Sequence, residues 1–213
     1  MVTILSFYKL KKINNLNKLK KLFFKKINSL SKKGLIILSP EGINGTLSGS
    51  LKNINTIKKI IISKLNISKF DIQNITRSNF IPFLKAKIKI KKEVVPINEK
   101  YDFDKKFKKK YLTPSQWNNF ISLKNTKIID ARKPFEYRVG TFKKAINPNI
   151  NNFREFKIYL SNVKKDENVG MFCTGGIRCE KASNYLFKNG YKNIYMLKGG
   201  IINYFNYTPI MIF

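Results

Sequence analysis

The stretch Val169–Phe187, "VGMFCTGGIRCEKASNYLF", holds both cysteines of the chain and passes from an apolar run through a glycine turn into a helical pattern. A strand that ends in such a turn and continues as a helix is the unit from which parallel sheets covered on both faces are assembled. The neighbouring sequence repeats the theme. "KIIDAR" (127–132) and "NIYMLKGGI" (193–201) read as buried strands, and "FREFKIYL" (153–160) and "RCEKASNYLFKNG" (178–190) as helices, the second closed by Gly190. Thr113 or Ser115 is placed to cap a further helix running through Trp117 and Phe120. The expectation is a parallel α/β unit with its crevice beyond the carboxyl ends of the strands, where Cys173 falls.

Upstream the periodicity changes. "TILSFYKL" (3–10) is a strand, and "NNLNKLKKLFFKKINSL" (14–30) sets Leu16, Leu19, Phe23 and Ile27 on one helical face. "GLIILSPEGINGTLSGS" (34–50) reads as a strand, a turn marked by Pro40, Gly42, Asn44 and Gly45, and a short strand ending at Gly49. "LKNINTIKKIIISKL" (51–65) turns Leu51, Ile54, Ile57, Ile61 and Leu65 inward as a second helix. "FDIQNI" extends a strand or an edge, and "LKAKIKIKKEVV" alternates as a half-buried strand. Two helices against about four strands in the order βαββαβ predict a ferredoxin-like α+β domain. The expected layout is that domain over 1–96, a charged linker over 97–112, the α/β domain over 113–207 and a tail over 208–213.

Composition narrows the chemistry. Among 213 residues there is no histidine, which excludes a Ser-His-Asp triad, a Cys-His dyad and a histidine-ligated metal; two cysteines alone cannot close a tetrahedral zinc site. Metal chemistry is therefore not expected, and no other cofactor is identifiable from the sequence. Two cysteines six positions apart in one strand–turn–helix unit make a poor staple and read as reduced thiols. No apolar run reaches the length of a membrane span, and Met1–Leu10 lacks the layout of a signal peptide, so the expectation is a cytoplasmic protein without a membrane partner.

The formal net charge is +31, with 24 basic against 6 acidic residues up to position 107 and 19 against 6 beyond it. Such a charge in both halves favours a polyanion such as nucleic acid. The abundance of lysine, 38 of the 43 basic residues, also fits an AT-rich coding bias, although that bias does not explain the shortage of acids.

With no imidazole to take its proton, a reactive Cys173 has to be activated by backbone and by Arg178. Thr174, Gly175, Gly176 and Ile177 can curl so that their N–H groups form an anion-binding nest at a helix N-terminus, the two glycines supplying backbone angles and close approach. Cys179, at helical spacing with Ala182 and Leu186, reads as a core residue. Arg178 has two readings: bidentate phosphate binding, or an ion pair with Glu136 or Asp130 that holds the loop.

"IIDARKPFEYRVGTFKKAINPNI" and "MFCTGGIRCEKASNYLFKNGYKNIYMLKGGI" resemble a rhodanese domain over about residues 110–207, with an Asp-x-Arg strand end, a Glu-Tyr pair and a Cys-x4-Arg loop. Gly140-Thr141 stands where that domain often has Gly-His. Together with "ILSFYKL", "LSPEGINGTLSGS" and "FLKAKIKIKKEVVPI" upstream, the run "CTGGIRCEKAS" resembles the tRNA uridine(34) hydroxylase family across nearly the whole chain. The resemblance implies oxygen-dependent hydroxylation of the wobble uridine at C5 to give 5-hydroxyuridine. It further implies Cys173 as the essential cysteine, molecular oxygen as co-substrate and the tRNA anticodon loop as partner. Asp130, Arg132 and Glu136 then brace the site. Glu41 and Asn44 meet the substrate or lie in a solvated turn, and Tyr8, Phe80, Phe83 and Trp117 stack on bases or fill the core. Many members carry a cysteine-rich C-terminal extension, whereas this sequence ends "YFNYTPIMIF", the expectation being a short member. The rival reading is a rhodanese-type sulfurtransferase that carries a persulfide on Cys173.

Overall fold

The structure, a computed structural model, describes residues 1–30, 33–104, 107 and 109–207. The chain divides into two compact units between Val94 and Val95. Among the described residues no helix is long and apolar enough to cross a membrane.

The first unit runs β1 (Val2–Leu10), α1 (Leu16–Ser29), β2 (Lys33–Ser39), β3 (Gly42–Gly49), α2 (Leu51–Leu65), β4 (Ile72–Ser78) and β5 (Ala86–Ile90). Its sheet has the order β4-β1-β3-β2-β5; neighbours among the first four are antiparallel, and β5 joins the edge parallel to β2. The βαββαβ ferredoxin-like pattern is therefore present, with "FDIQNI" supplying its last strand and the lysine-rich "AKIKI" adding a fifth. One sheet face buries Leu5, Phe7, Ile36, Leu38, Ile43, Leu47 and Ile88 against Phe23, Ile27, Ile54, Ile57 and Ile61 of the helices. Leu51, read as inward, is half exposed, because it opens α2 directly after its cap Ser50, whose hydroxyl accepts the Asn53 N–H.

The β2–β3 connection is tighter than its glycines predict. Pro40 and Glu41 alone make the turn, and Gly42, Asn44 and Gly45 lie in β3. Gly45 is a packing glycine: a Cβ there would come within 2.9 Å of the Phe7 ring and 3.2 Å of Ile36. The turn carboxylate is drawn inward, where Glu41 Oε1 accepts the Val94 N–H at 3.0 Å and ties the hairpin to the last residue of the unit.

The second unit runs β6 (Lys110–Leu112), α3 (Pro114–Ser122), β7 (Thr126–Asp130), α4 (Pro134–Val139), β8 (Ala145–Ile146), a 3-10 turn (Phe153–Glu155), α5 (Phe156–Ser161), β9 (Asn168–Phe172), α6 (Ile177–Lys188), β10 (Ile194–Leu197) and α7 (Gly200–Tyr207). The five strands form a fully parallel sheet in the order β6-β10-β9-β7-β8. Alternation along each strand feeds two cores. Ile129, Met171 and Met196 pack with Phe156, Leu160, Cys179, Ala182 and Leu186, while Ile128, Phe172 and Leu197 pack with Trp117, Phe120, Phe142, Ile201 and Tyr204. Thr113 is the cap of α3, in a reciprocal pairing with Gln116.

The stretch read as a linker, 97–112, is built into this unit; residues 105, 106 and 108 of it, like the tail 208–213, lie outside the described residues. Ile97 is fully buried in the α5–α6 core, and β6 pairs with β10. Lys181 Nζ donates to Glu99 O at 2.6 Å, Asp102 N–H to Asn184 Oδ1 at 3.1 Å, and Lys109 pairs with the buried Glu180 at 2.7 Å.

Truncating Glu41 to Ala orphans a buried N–H, which typically costs about 1–3 kcal/mol. Urea unfolding of Glu41→Ala should report a loss of that size, with no change in the pH titration of Cys173.

Candidate active site

β9 is the central strand, and its carboxyl end delivers Cys173 with no solvent-exposed surface. Gly176, at φ +101, turns the chain into α6, and its N–H donates to Cys173 Sγ at 3.1 Å. Ile177, Arg178 and Cys179 form the first turn of α6, where backbone N–H groups lack helical partners. The Cys179 N–H takes up one such vacancy by donating to Cys173, and the Cys179 thiol hydrogen-bonds the same sulfur.

The loop's carbonyls are gripped from the other side. At the start of α7, Ile201 N–H donates to Cys173 O at 2.9 Å and Ile202 N–H to Thr174 O at 3.2 Å. Gly200, at φ +68, permits this approach, since a Cβ there would lie 2.4 Å from Cys173 O. Gly175 differs from the expectation: its φ is not in the left-handed region and nothing lies near a Cβ built on it, so it leaves open space beside the loop.

Arg178 is held as an ion pair with the loop. Its Nη1 and Nη2 donate to Glu136 Oε2 and Oε1, each at 3.1 Å, and also to Ala131 O and Thr174 Oγ1. The guanidinium fork is thus occupied by Glu136 rather than presented for a phosphate. Glu136 also accepts the Lys133 N–H at the start of α4 and the Thr174 hydroxyl, so one carboxylate joins α4, the loop and α6. Behind it, the fully buried Asp130 accepts Arg132 Nε at 2.9 Å and Nη2 at 2.6 Å, and Arg132 continues to Gly140 O. Thr141 donates its hydroxyl to Asp130 at 2.9 Å. Thus Cys173, Thr174, Gly175, Gly176, Ile177, Arg178 and Glu136 come together, with Asp130 and Arg132 bracing the adjacent strand end. Glu41 and Asn44 belong to the first unit, Glu41 buried in its turn and Asn44 half-buried in β3.

Electrostatics follow from this geometry. Burial pushes the Cys173 thiol up, but the Cys179 thiol, the Arg178 charge and the N–H groups of Cys179 and Gly176 outweigh it and bring the pKa down to about 6. Cys179 is driven well above the ordinary thiol value, by burial first and then by the neighbouring Cys173. It stays protonated and acts as the donor. Burial likewise raises the Glu136 carboxyl, but its Arg178 bonds and charge hold it below the usual carboxylate range.

The parallel sheet, the cysteine at its central strand end and the loop closed on a helix N-terminus define a rhodanese-like protein with a ferredoxin-like unit ahead of it. Residues 113–206 match the Rhodanese-like domain, and residues 2–94 match the UPF0176 acylphosphatase like domain. A tRNA uridine(34) hydroxylase of Pelagibacter ubique is 48% identical over 96% of this chain and 67% of its own length; one of Legionella pneumophila is 38% identical over 98% and 83%. The chain belongs to the tRNA uridine(34) hydroxylase family, and so to enzymes of the oxidoreductase type. Among solved structures, a rhodanese-related protein of Thermoplasma volcanium is similar at 22% identity and a TM-score of 0.41, over 46% of this chain and 93% of that one.

Cys179 and Gly200 are the site residues that periodicity alone hides. Cys179 reads as core because its side chain is core, and its role comes from being the third residue of α6. Gly200 belongs to a Gly-Gly pair that looks like a strand terminator.

The thiolate absorbance of Cys173 should titrate near pH 6. Cys179→Ala should raise the midpoint clearly, and Cys179→Ser, which keeps a donor, should raise it less. Because folding depresses the ionisation from its ordinary 9.0, Cys173 adds stability that is fully present above pH 9 and is lost as pH falls through about 6. Wild type should therefore lose its stability advantage over Cys173→Ala across that window in urea titrations at stepped pH.

Proposed function

We propose that the chain hydroxylates the wobble uridine of tRNA at C5, giving 5-hydroxyuridine, with molecular oxygen as co-substrate and Cys173 as the catalytic residue. The observation that carries this reading is a buried cysteine whose sulfur accepts the Gly176 N–H at 3.1 Å at the N-terminus of α6 beside Arg178, with no histidine in the sequence, in a chain of this family. A uridine in an anticodon loop is already largely free of a duplex, so presenting its ring edge to the loop costs less than flipping a paired base.

In the proposed chemistry the Cys173 thiolate adds to C6 of the uracil, making C5 electron-rich and able to attack oxygen. One oxygen atom is retained at C5 and the other leaves as water, which takes two electrons and two protons from an external two-electron donor. Release of Cys173 from C6, with loss of the C5 proton, restores the ring double bond and the thiolate. Arg178 and Glu136 hold the loop in shape, Cys179 keeps a proton on the sulfur's partner, and the gap beside Gly175 is the side from which the base approaches.

A sulfurtransferase would use the same thiolate to accept sulfur and carry a persulfide. The deciding experiment is nucleoside mass spectrometry of wobble-uridine tRNA from cells lacking the family enzyme, supplied with wild type or Cys173→Ser. 5-Hydroxyuridine should return with wild type only. Its absence with both, alongside a 32-dalton adduct on Cys173 after treatment with thiosulfate, would establish the sulfur carrier instead.

A further inference from the structure

The segment between β4 and β5 crosses one end of the first unit's sheet. β4 ends where β1 begins, Ser78 opposite Val2, and β5 begins where β2 begins, Ala86 beside Gly34. Residues 79–85 thus span four strand gaps, roughly 19 Å at about 4.8 Å per gap. The span is fastened at its start, where the Ser78 hydroxyl donates to Phe80 O at 2.9 Å and accepts the Phe80 N–H at 3.2 Å. It presents Phe80, Ile81 and Leu84 outward at 71%, 60% and 81% exposure. Of the four aromatic side chains singled out as stacking candidates, Tyr8 and Trp117 are buried and Phe83 is half-buried; Phe80 alone offers its ring to solvent.

At the far end of this span a row of cations runs along β5. Lys87 and Lys89 stand in register with Leu35 and Ile37, on the face turned away from α1 and α2, and both are exposed. Lys85 and Lys91 continue the same alternation at either end, a line roughly 20 Å long at about 3.3 Å per residue. From Ile72 to Lys92 there is no acidic residue, and none of these lysines shares an ion pair among the described residues.

We infer that Phe80 and the β5 lysine row form a landing surface for single-stranded RNA, a base stacking on Phe80 and the phosphate backbone following Lys85, Lys87, Lys89 and Lys91. This rests on tRNA being the substrate, and identifies where the first unit grips it. A linear row of cations on one sheet edge, with an exposed ring several nucleotide lengths away along the span that leads into it, matches a strand of phosphates with unstacked bases. A lipid surface would engage the tip and leave most of the row idle.

The test is fluorescence anisotropy with the full chain and a wobble-uridine tRNA, over a range of salt. The variants are Phe80→Ala and Lys87→Gln/Lys89→Gln, with Lys20→Gln/Lys21→Gln on α1 as the control for bulk charge. The slope of log K against log salt should become shallower by about 0.7 per lysine removed from the row. Phe80→Ala should weaken binding about tenfold with the slope unchanged, the scale of one lost base–aromatic stack. A far-UV circular dichroism spectrum and a urea midpoint matching wild type confirm that the first unit of each variant is folded. Wild-type binding with row and control variants equally affected, or neither affected, overturns the assignment and leaves tRNA as substrate. No wild-type binding to tRNA overturns both readings. Binding to phosphatidylserine vesicles that Phe80→Ala abolishes, without any change in tRNA affinity, reassigns the tip to a lipid surface.

Discussion

Ionising Cys173 places a negative charge on a sulfur with no exposed surface, and an unpaired buried anion is costly enough that such a group ordinarily stays neutral. Each neighbouring element supplies part of the compensation. Gly176 and Cys179 turn N–H groups onto the sulfur, Cys179 adds its thiol, and Arg178 contributes charge while Glu136 keeps the guanidinium in place. The loop can face its N–H groups inward because the first N–H groups of α7 take the carbonyls of Cys173 and Thr174. Two helix N-termini therefore work in sequence, one on the anion and one on the backbone that shapes its cradle.

The parallel sheet makes this convergence possible. β7, β9 and β10 end at one edge, so Asp130, Cys173 and the Gly199-Gly200 turn arrive together although they are far apart in sequence. Alternation then sorts neighbouring residues, Met171 to one core and Phe172 to the other. Gly170 completes that arrangement, since a Cβ there would lie 2.6 Å from Phe120 and 3.1 Å from Trp117, and its absence brings both rings onto the sheet.

Period and punctuation made much of this legible. Helices α1, α2, α3, α5 and α6, strands β1 to β5, β7, β9 and β10, the Thr113 cap and the loop around Cys173 follow from local pattern, because each is set by residues within one or two turns of one another, whereas the short α4 and α7 and the two- and three-residue strands β8 and β6 carry too little period to be read. Features set by distant partners were not legible. Gly42 and Gly45 look like turn residues, yet the first lies against the Lys9 carbonyl and the second against the Phe7 ring. Glu41 looks like a solvated turn residue or a ligand contact, and its partner is an N–H 53 positions away. Gly200 is explained by a carbonyl at position 173.

The stretch 97–112, fastened to α6, changes what counts as the rhodanese fold in this chain. The matching domain pattern begins at 113, but Lys181 and Glu180, both buried, find partners at Glu99 and Lys109, and Ile97 fills the core beneath them. A second unit cut at 113 would keep its cysteine motif and lose the contacts that Glu99 and Lys109 make with two charged groups on α6. The folded unit therefore begins at Val95, ahead of the matched domain, and holds the 97–112 stretch within it. Glu180 and Lys181 in "CEKAS" thus fasten the preceding stretch to α6 from within the same eleven residues as the cysteine loop, Cys173–Ser183.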